Sequence, residues 1–242
     1  MVFAAGFVFF GVGSGSSGLG DLFRGDFGSI FGGGGDSISK FQKDVAKHPQ
    51  DAAAWLKLAR ALEGKSRTDE AVTALETYTA LRPKDANGWQ ELAGLYLTQA
   101  QNYYTELLNL QSQLASLPSA GIGIAGDSFL NREFQKNPLY AALLAELNTR
   151  YSDLQTKLSG TLRQREGAYE RAVNALPAGD PGLPGVVFAW ARAATDAQDY
   201  PTAIKAYKRY LKLAPESGLA ADARKEIKRL EGLVKSQSAN QG

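Results

Sequence analysis

The sequence predicts an all-α protein of stacked helix–turn–helix units, with one unit drawn out into a long antiparallel helical hairpin. Three observations carry that prediction. Pro49 and Pro83 stand 34 residues apart, and each precedes a tryptophan, Trp55 and Trp89, by six positions. Apolar residues recur at helical spacing from Ser37 onward, and no segment sustains the period-two alternation of a strand. In the second unit the apolar gaps settle into alternating threes and fours that run far past the point where a turn is due.

Ser37 or Ser39 is placed to N-cap a first helix with Ile38, Phe41 and Val45 on one face, ending before Pro49. Asp51 caps the next helix, Ala52 to Glu63, whose stripe is Trp55, Leu58, Ala59 and Leu62. Gly64-Lys65-Ser66 turns the chain, and Thr68 opens the return helix through Ala71, Leu75, Tyr78 and Leu81 to Pro83. Small residues such as Ala59 and Ala71 allow close approach of the helices, while Trp55 and Leu75 fill the space between them.

Towards the C-terminus the pattern recurs as Val187, Trp190, Ala191 and Ala194, then Ala203, Tyr207, Tyr210 and Leu213 before Pro215. The Tyr-to-Pro spacing of five in Tyr78–Pro83 is repeated in Tyr210–Pro215. A last amphipathic helix, from about Leu219 to Val234, turns Ala223, Ile227, Leu230 and Val234 inward and Lys225, Lys228 and Arg229 to water. Helical arrays need such a polar-backed end.

These residues resemble the tetratricopeptide repeat. The likeness is close over Ala52–Lys84 and looser over Pro184–Glu216, where Val187 stands in the place of Trp55 and Trp190 in that of Leu58. It extends over about 150 of the 242 residues, at the period of 34 expected of such repeats. Tyr78 and Tyr210 occupy positions where the pattern usually has a small residue. The stretch Lys47–Tyr96 is also similar to the repeat portion of bacterial membrane-anchored proteins, including those of cytochrome c maturation.

The unit that begins at Ala86 departs from the pattern. Gln99-Ala-Gln-Asn102, where its first helix should turn, holds neither Gly nor Pro. One heptad seam continues through Tyr96, Ala100, Tyr103, Leu107, Leu110, Leu114 and Leu117. A second runs through Tyr140, Leu143, Leu147, Tyr151, Leu154, Leu158 and Leu162, then joins Tyr169, Ala172 and Leu176 before Pro177. The expected arrangement is an antiparallel coiled-coil hairpin over about residues 99–162. Its arms of about eighteen residues, at about 1.5 Å each, project roughly 27 Å. Gly160 is a candidate kink in the return helix. The alternative is an ordinary repeat ending at Pro118 and followed by separate helices.

At the hairpin tip, Gly121-Ile-Gly123-Ile-Ala-Gly126 spells GxGxxG. That string binds dinucleotide phosphates only between a strand and a helix, and no strand is in sight. The apolar tip residues Ile122, Ile124, Phe129, Leu130 and Phe134 either meet a partner or fold back to cap the hairpin.

Composition narrows the function classes. The net charge is +2 from 27 basic and 25 acidic residues, which gives no ground for a nucleic-acid partner. The chain has no cysteine, so disulfides, thiolate metal sites and thiol catalysis are excluded. His48 is the single histidine, and it reads as an exposed helix-end residue. Ser37-Ile-Ser-Lys40 matches SxxK without its companion motifs and is read as a helix start. Asp69, Glu70 and Glu76 read as solvated helix faces. No enzyme, cofactor or metal site is expected.

Residues 1–36 form a region apart from the helical domain, 37–242. Met1–Val12 is almost wholly apolar, and 12 of the 26 glycines fall before Asp36, as in a flexible linker. About 12 apolar residues is short of the roughly 18–20 that cross a bilayer. The run lacks the basic start and cleavage site of a signal peptide. One reading is the end of a membrane anchor whose beginning is missing, with the flank bearing Asp21, Arg24, Asp26 and Asp36 exported along with the helical domain. The other is a sticky tail.

The resemblance implies a surface for partners and no catalysis. Tetratricopeptide arrays capture ligands on a concave face lined by their first helices, which here offers Leu56, Lys57 and Arg60, then Gln90, then Phe188 and Arg192. Leu56 and Arg60 occupy the offsets where chaperone-binding members carry a Lys/Asn clamp. The expectation is a scaffold that docks a protein or peptide, tethered to a membrane and facing outside a bacterial cytoplasm. The alternative is a structural protein that forms homo-oligomers through its hairpin.

Overall fold

The computed structural model describes residues 35–116 and 138–239, which contain eight α-helices and no strand. The apolar segment 1–12, its glycine-rich continuation and the hairpin-tip residues Ile122, Ile124, Phe129 and Leu130 lie outside the described residues.

The helices are α1 (Gly35–Lys47), α2 (Ala52–Glu63), α3 (Thr68–Leu81), α4 (Ala86–Ser116), α5 (Pro138–Ala175), α6 (Leu183–Asp196), α7 (Tyr200–Leu213) and α8 (Ala220–Ala239). Among the described residues none is long and apolar enough to cross a membrane. α2–α3, α4–α5 and α6–α7 are three consecutive pairs, each helix packed on the next, and α8 closes the end against α7.

The expected start of α1 at Ser37 or Ser39 is late, because the helix already begins at Gly35. Asp51 does cap α2, accepting a hydrogen bond from the Ala53 amide at 2.9 Å. The Pro-to-Trp spacing has a direct cause. Trp55 Nε1 donates to the Pro49 carbonyl at 2.9 Å, and Trp89 Nε1 donates to the Pro83 carbonyl at 3.0 Å. The indole therefore reaches back six residues and ties each first helix to the turn that precedes it. Val187 stands six residues after Pro181 and has no side-chain N–H to give.

Both ordinary pairs turn through the same backbone device. The Arg67 amide donates to Leu62 and the Ser66 amide to Glu63; likewise Asp199 donates to Ala194 and Gln198 to Thr195. These are paired six-to-one and five-to-two hydrogen bonds, a Schellman motif. They place a non-glycine residue in the left-handed region each time, Ser66 at φ 56° and Gln198 at φ 62°.

One apolar core runs from Ile38 in α1 to Leu230 in α8. α4 continues unbroken past Gln99, and α5 is one helix of 38 residues that passes through Gly160 without interruption. A single helix thus carries both the second apolar seam and its continuation through Tyr169 and Ala172. Outside the main core the two long helices share a small cluster of Leu107, Leu110 and Leu154, flanked by Tyr103, Leu114, Leu147, Tyr151 and Leu158. Thr161 bonds to Gln99 at 3.5 Å, Lys157 lies 6.0 Å from the Tyr103 ring, and Arg150 pairs with Glu106. Residue numbers rise on one helix as they fall on the other, so the two run antiparallel. Leu143, a seam residue in the sequence, is 44% exposed.

Of the three acids read as solvated, Asp69 is exposed and Glu70 partly so, although both are paired, and Glu76 is the one that burial takes out of water. Asp69 accepts from Gln99 Nε2 at 2.8 Å, Glu70 pairs with Arg67 at 2.6 Å, and Glu76 accepts from the Tyr96 hydroxyl at 2.5 Å. Burial raises the Glu76 carboxyl above its ordinary range, and the Tyr96 hydrogen bond only partly opposes it.

Candidate functional site

The first helices of the three pairs present equivalent positions in register: Leu56, Gln90 and Phe188 in one row, Arg60, Gly94 and Arg192 in another. The structure treats the members of each row differently. Leu56 is half-buried against the core, and Lys57 is exposed. The Arg60 guanidinium holds Glu91 on the next first helix through two parallel hydrogen bonds of 2.8 and 2.9 Å. With the Arg60 side chain 60% exposed, such a pair stabilises by at most about 1 kcal/mol. It nevertheless closes that part of the face.

Gln90 donates to the Ala86 carbonyl at 3.2 Å and lines an open cavity of about 530 Å³. This cavity lies where the start of α4, the end of α5 and the start of α6 meet, and its wall is polar through Lys84, Asp85, Asn87 and Asp180. Asp85 and Asp180 are already engaged there, accepting from the amides of Asn87 at 3.0 Å and Gly182 at 2.7 Å.

Phe188 and Arg192 line a second, separate open cavity of about 370 Å³ between α6, α7 and α8. Its apolar wall is Phe188, Tyr207 and Leu219, and its polar rim is Arg192, Thr195, Asp196, Asp222 and Glu226. Phe188 is held by aromatic contacts, edge-on to Tyr207 at 5.6 Å and tilted on Tyr210 at 4.9 Å between centroids. Such pairs fix ring orientation as well as burying area. Two of the rim carboxylates are committed: Asp196 accepts from Arg165 at 2.6 Å, and Glu226 from Arg229 at 2.7 Å. Arg192 and Asp222 have no ion-pair partner among the described residues. The six residues singled out in the sequence therefore do not share one groove. Arg60 is closed onto Glu91, Gln90 lies in one cavity, and Phe188 with Arg192 lies in another.

Several residues that shape this region were not singled out. The Tyr78 hydroxyl donates to Asp85 Oδ2, and the Tyr210 hydroxyl pairs with Ser217, again seven residues on. The hydrogen bond to Asp85, with burial, pushes the Tyr78 hydroxyl up to about 12. Arg165 is buried behind the second cavity, with its guanidinium 5.7 Å from the Tyr169 ring. Beside it, burial, aided by Asp199 and Glu170, pushes the Glu166 carboxyl up to about 7. The repeated Tyr-to-Pro spacing was the available signal for the tyrosines. Nothing local marks Arg165 or Glu166. Among the described residues there is no group of three or more His, Asp or Glu able to hold a metal ion.

Residues 36–96 match the family model of the tetratricopeptide repeat. No curated protein matches the sequence. Among solved structures the chain is similar to MamA at 16% identity, covering 72% of this chain and 85% of that one, with a TM-score of 0.25. It is also similar to TTC0263, a thermophilic tetratricopeptide-repeat protein of Thermus thermophilus, at 17% identity over 80% and 88% of the two chains, TM-score 0.25. The tetratricopeptide-repeat domain of P58(IPK) is similar at 14% identity over 84% and 62%, TM-score 0.28. Superpositions this poor bear on neither site nor partner. The family match and the two Trp-to-Pro hydrogen bonds within it coincide, so residues 36–96 carry the tetratricopeptide-repeat pattern as packed helix pairs.

Proposed function

We propose that this protein is an interaction scaffold that docks a segment of a partner protein on its first-helix face, with the groove between α6, α7 and α8 as the principal contact. One observation supports the choice of groove. Arg60 is closed onto Glu91, whereas Arg192, in the equivalent position, borders an open groove with an aromatic wall. An apolar wall beside a few fixed polar groups is the usual make-up of a recognition site. Gln90 and its cavity extend the surface along the array, and Leu56 and Lys57 flank it. The chain supplies no catalytic step in this reading.

The test is site-specific photo-crosslinking in the native host, with the crosslinker at Leu219. Phe188→Ala with Arg192→Glu abolishes capture of a defined partner, while Arg60→Glu, which breaks only the Glu91 pair, leaves capture intact. Equal capture by all three proteins refutes the groove.

A second reading is self-assembly through the long helices, favoured by exposed apolar side chains on both: Tyr104 at 56%, Leu108 at 48% and Leu143 at 44%. The antiparallel pair is then a coiled-coil hairpin, and the tip residues Ile122, Ile124, Phe129 and Leu130 belong to the same contact. Light scattering separates the two readings, because a wild-type monomer unchanged by Tyr104→Glu and Leu108→Glu rules out self-assembly. Tethering through residues 1–12, with the helical domain outside the cytoplasm, accompanies the first reading. Alkaline carbonate extraction of membranes from cells making the full chain or residues 37–242 tests it, and a full chain released as readily as the shorter one refutes it.

A further inference from the structure

Charge is distributed unevenly along this near-neutral chain. α7 carries four cations, Lys205, Lys208, Arg209 and Lys212, and no acid. Helical spacing puts Lys205, Lys208 and Lys212 on one stripe, and puts Arg224, Lys228, Glu231 and Lys235 of α8 on another. The two stripes lie side by side, because Lys208 Nζ bonds to Glu231 Oε1 at 2.8 Å across the α7–α8 junction. Lys235 reinforces Lys208 in holding the Glu231 carboxyl below its ordinary range, which places it on the same face. All six cations are exposed, and Glu231 is the one acid in either stripe.

We infer that this α7–α8 face is an electrostatic contact site for an anionic lipid bilayer surface. Five of the six cations are lysines, flexible point charges suited to diffuse attraction and not to the bidentate recognition that arginine provides. None of them lines either of the two cavities described above, where the side chains of an acidic peptide would find a pocket. Tyr207 and Tyr210 of α7 are buried, so no aromatic platform stands among the lysines to stack the bases of a single-stranded nucleic acid. What remains is a flat run of lysines matched to a surface bearing many phosphates and carboxylates. Each lysine brought to such a surface strengthens binding roughly five-fold, and the attraction falls as salt screens it.

Co-sedimentation of the full chain with two kinds of vesicle tests this. One is phosphatidylcholine alone, and the other contains about 30 mol % phosphatidylserine. Binding to the anionic vesicles is expected to exceed that to the neutral ones by at least about ten-fold and to fall by as much between about 0.1 and 0.5 M salt. The triple variant Lys205→Glu, Lys212→Glu, Lys228→Glu loses the difference while keeping its circular dichroism and melting temperature. Equal binding to both vesicles, or an unchanged preference in the triple variant, overturns the proposal. So does tighter binding of duplex DNA or of polyglutamate at the same salt that the triple variant abolishes, which would give the face a different occupant.

Discussion

Gly88 lies directly under the ring of Tyr78. A Cβ at residue 88 would stand 2.5 Å from Tyr78 Cε1 and 3.1 Å from Cδ1. The ring cannot swing away freely, because its hydroxyl is bonded to Asp85. The bulky residue in a position that usually carries a small one is thus matched by a glycine ten residues later. Gly88→Ala is expected to destabilise by about 1–3 kcal/mol, although alanine favours a helix by about 1 kcal/mol over glycine. Tyr78→Ala with Gly88→Ala should be markedly less harmful than the sum of the two single changes in urea unfolding.

The left-handed residues of the two Schellman turns give an opposite case. Ser66 and Gln198 adopt φ of 56° and 62° without the freedom of glycine. That conformation costs a non-glycine residue about 1–2 kcal/mol, of which glycine's own entropy returns part. Ser66→Gly and Gln198→Gly are each expected to stabilise by about 0.5–1 kcal/mol. The two gains should add in chemical denaturation, since the turns belong to different helix pairs.

The three tryptophans separate bonded from unbonded indoles. Trp55 and Trp89 donate to Pro49 and Pro83, whereas the buried Trp190 Nε1 has no hydrogen-bond partner among the described residues. Each of Trp55→Phe and Trp89→Phe loses a hydrogen bond of about 1 kcal/mol and strands a proline carbonyl. Trp190→Phe removes an unsatisfied donor and is expected to cost less. Denaturation midpoints of the three variants, compared at constant slope, decide it.

Glu166 makes stability depend on pH. Burial, followed by the charges of Asp199 and Glu170, pushes its carboxyl up to about 7, against the opposing pull of Arg163. A folded value above the unfolded one favours the protonated form. The resulting stability is complete below the ordinary glutamate range, about pH 4.3, and is lost as pH rises through about 7. Glu166→Gln should therefore melt higher than the wild type at pH 8, with the gap closing towards pH 5. A constant gap across that range would remove Glu166 as the cause.

The parts of the fold that the sequence revealed are those set by near neighbours. Trp55 and Pro49 are six residues apart, the turn at Ser66 is closed within one helix end, and the α2 and α3 stripes follow the helical period. Polar burial depends on residues far along the chain. Glu76 meets Tyr96 twenty residues on, Asp69 meets Gln99 thirty on, and Arg165 meets Asp196 thirty-one on. No local pattern distinguishes such paired carboxylates from unpaired ones. The first-helix face was legible as rows of equivalent positions, but not which row members would be closed. Arg60 finds Glu91 on α4, whereas Arg192 borders Asp222 and Glu226 across an open groove.

The antiparallel pairing of α4 and α5 also sets an order of assembly. Gln99 and Thr161 meet although 62 residues separate them, whereas α2–α3 and α6–α7 close across turns of a few residues. Loop closure over the longer span costs more entropy before any contact repays it, and non-local contacts slow folding. The flanking pairs can form independently, α2–α3 packing on α4 and α6–α7 on α5, and the array becomes continuous only once the middle pair has zipped. The drawn-out unit is therefore the kinetic gate of an array whose other members fold locally, and shortening both of its arms together should speed refolding while leaving the unfolding of the flanking pairs unchanged.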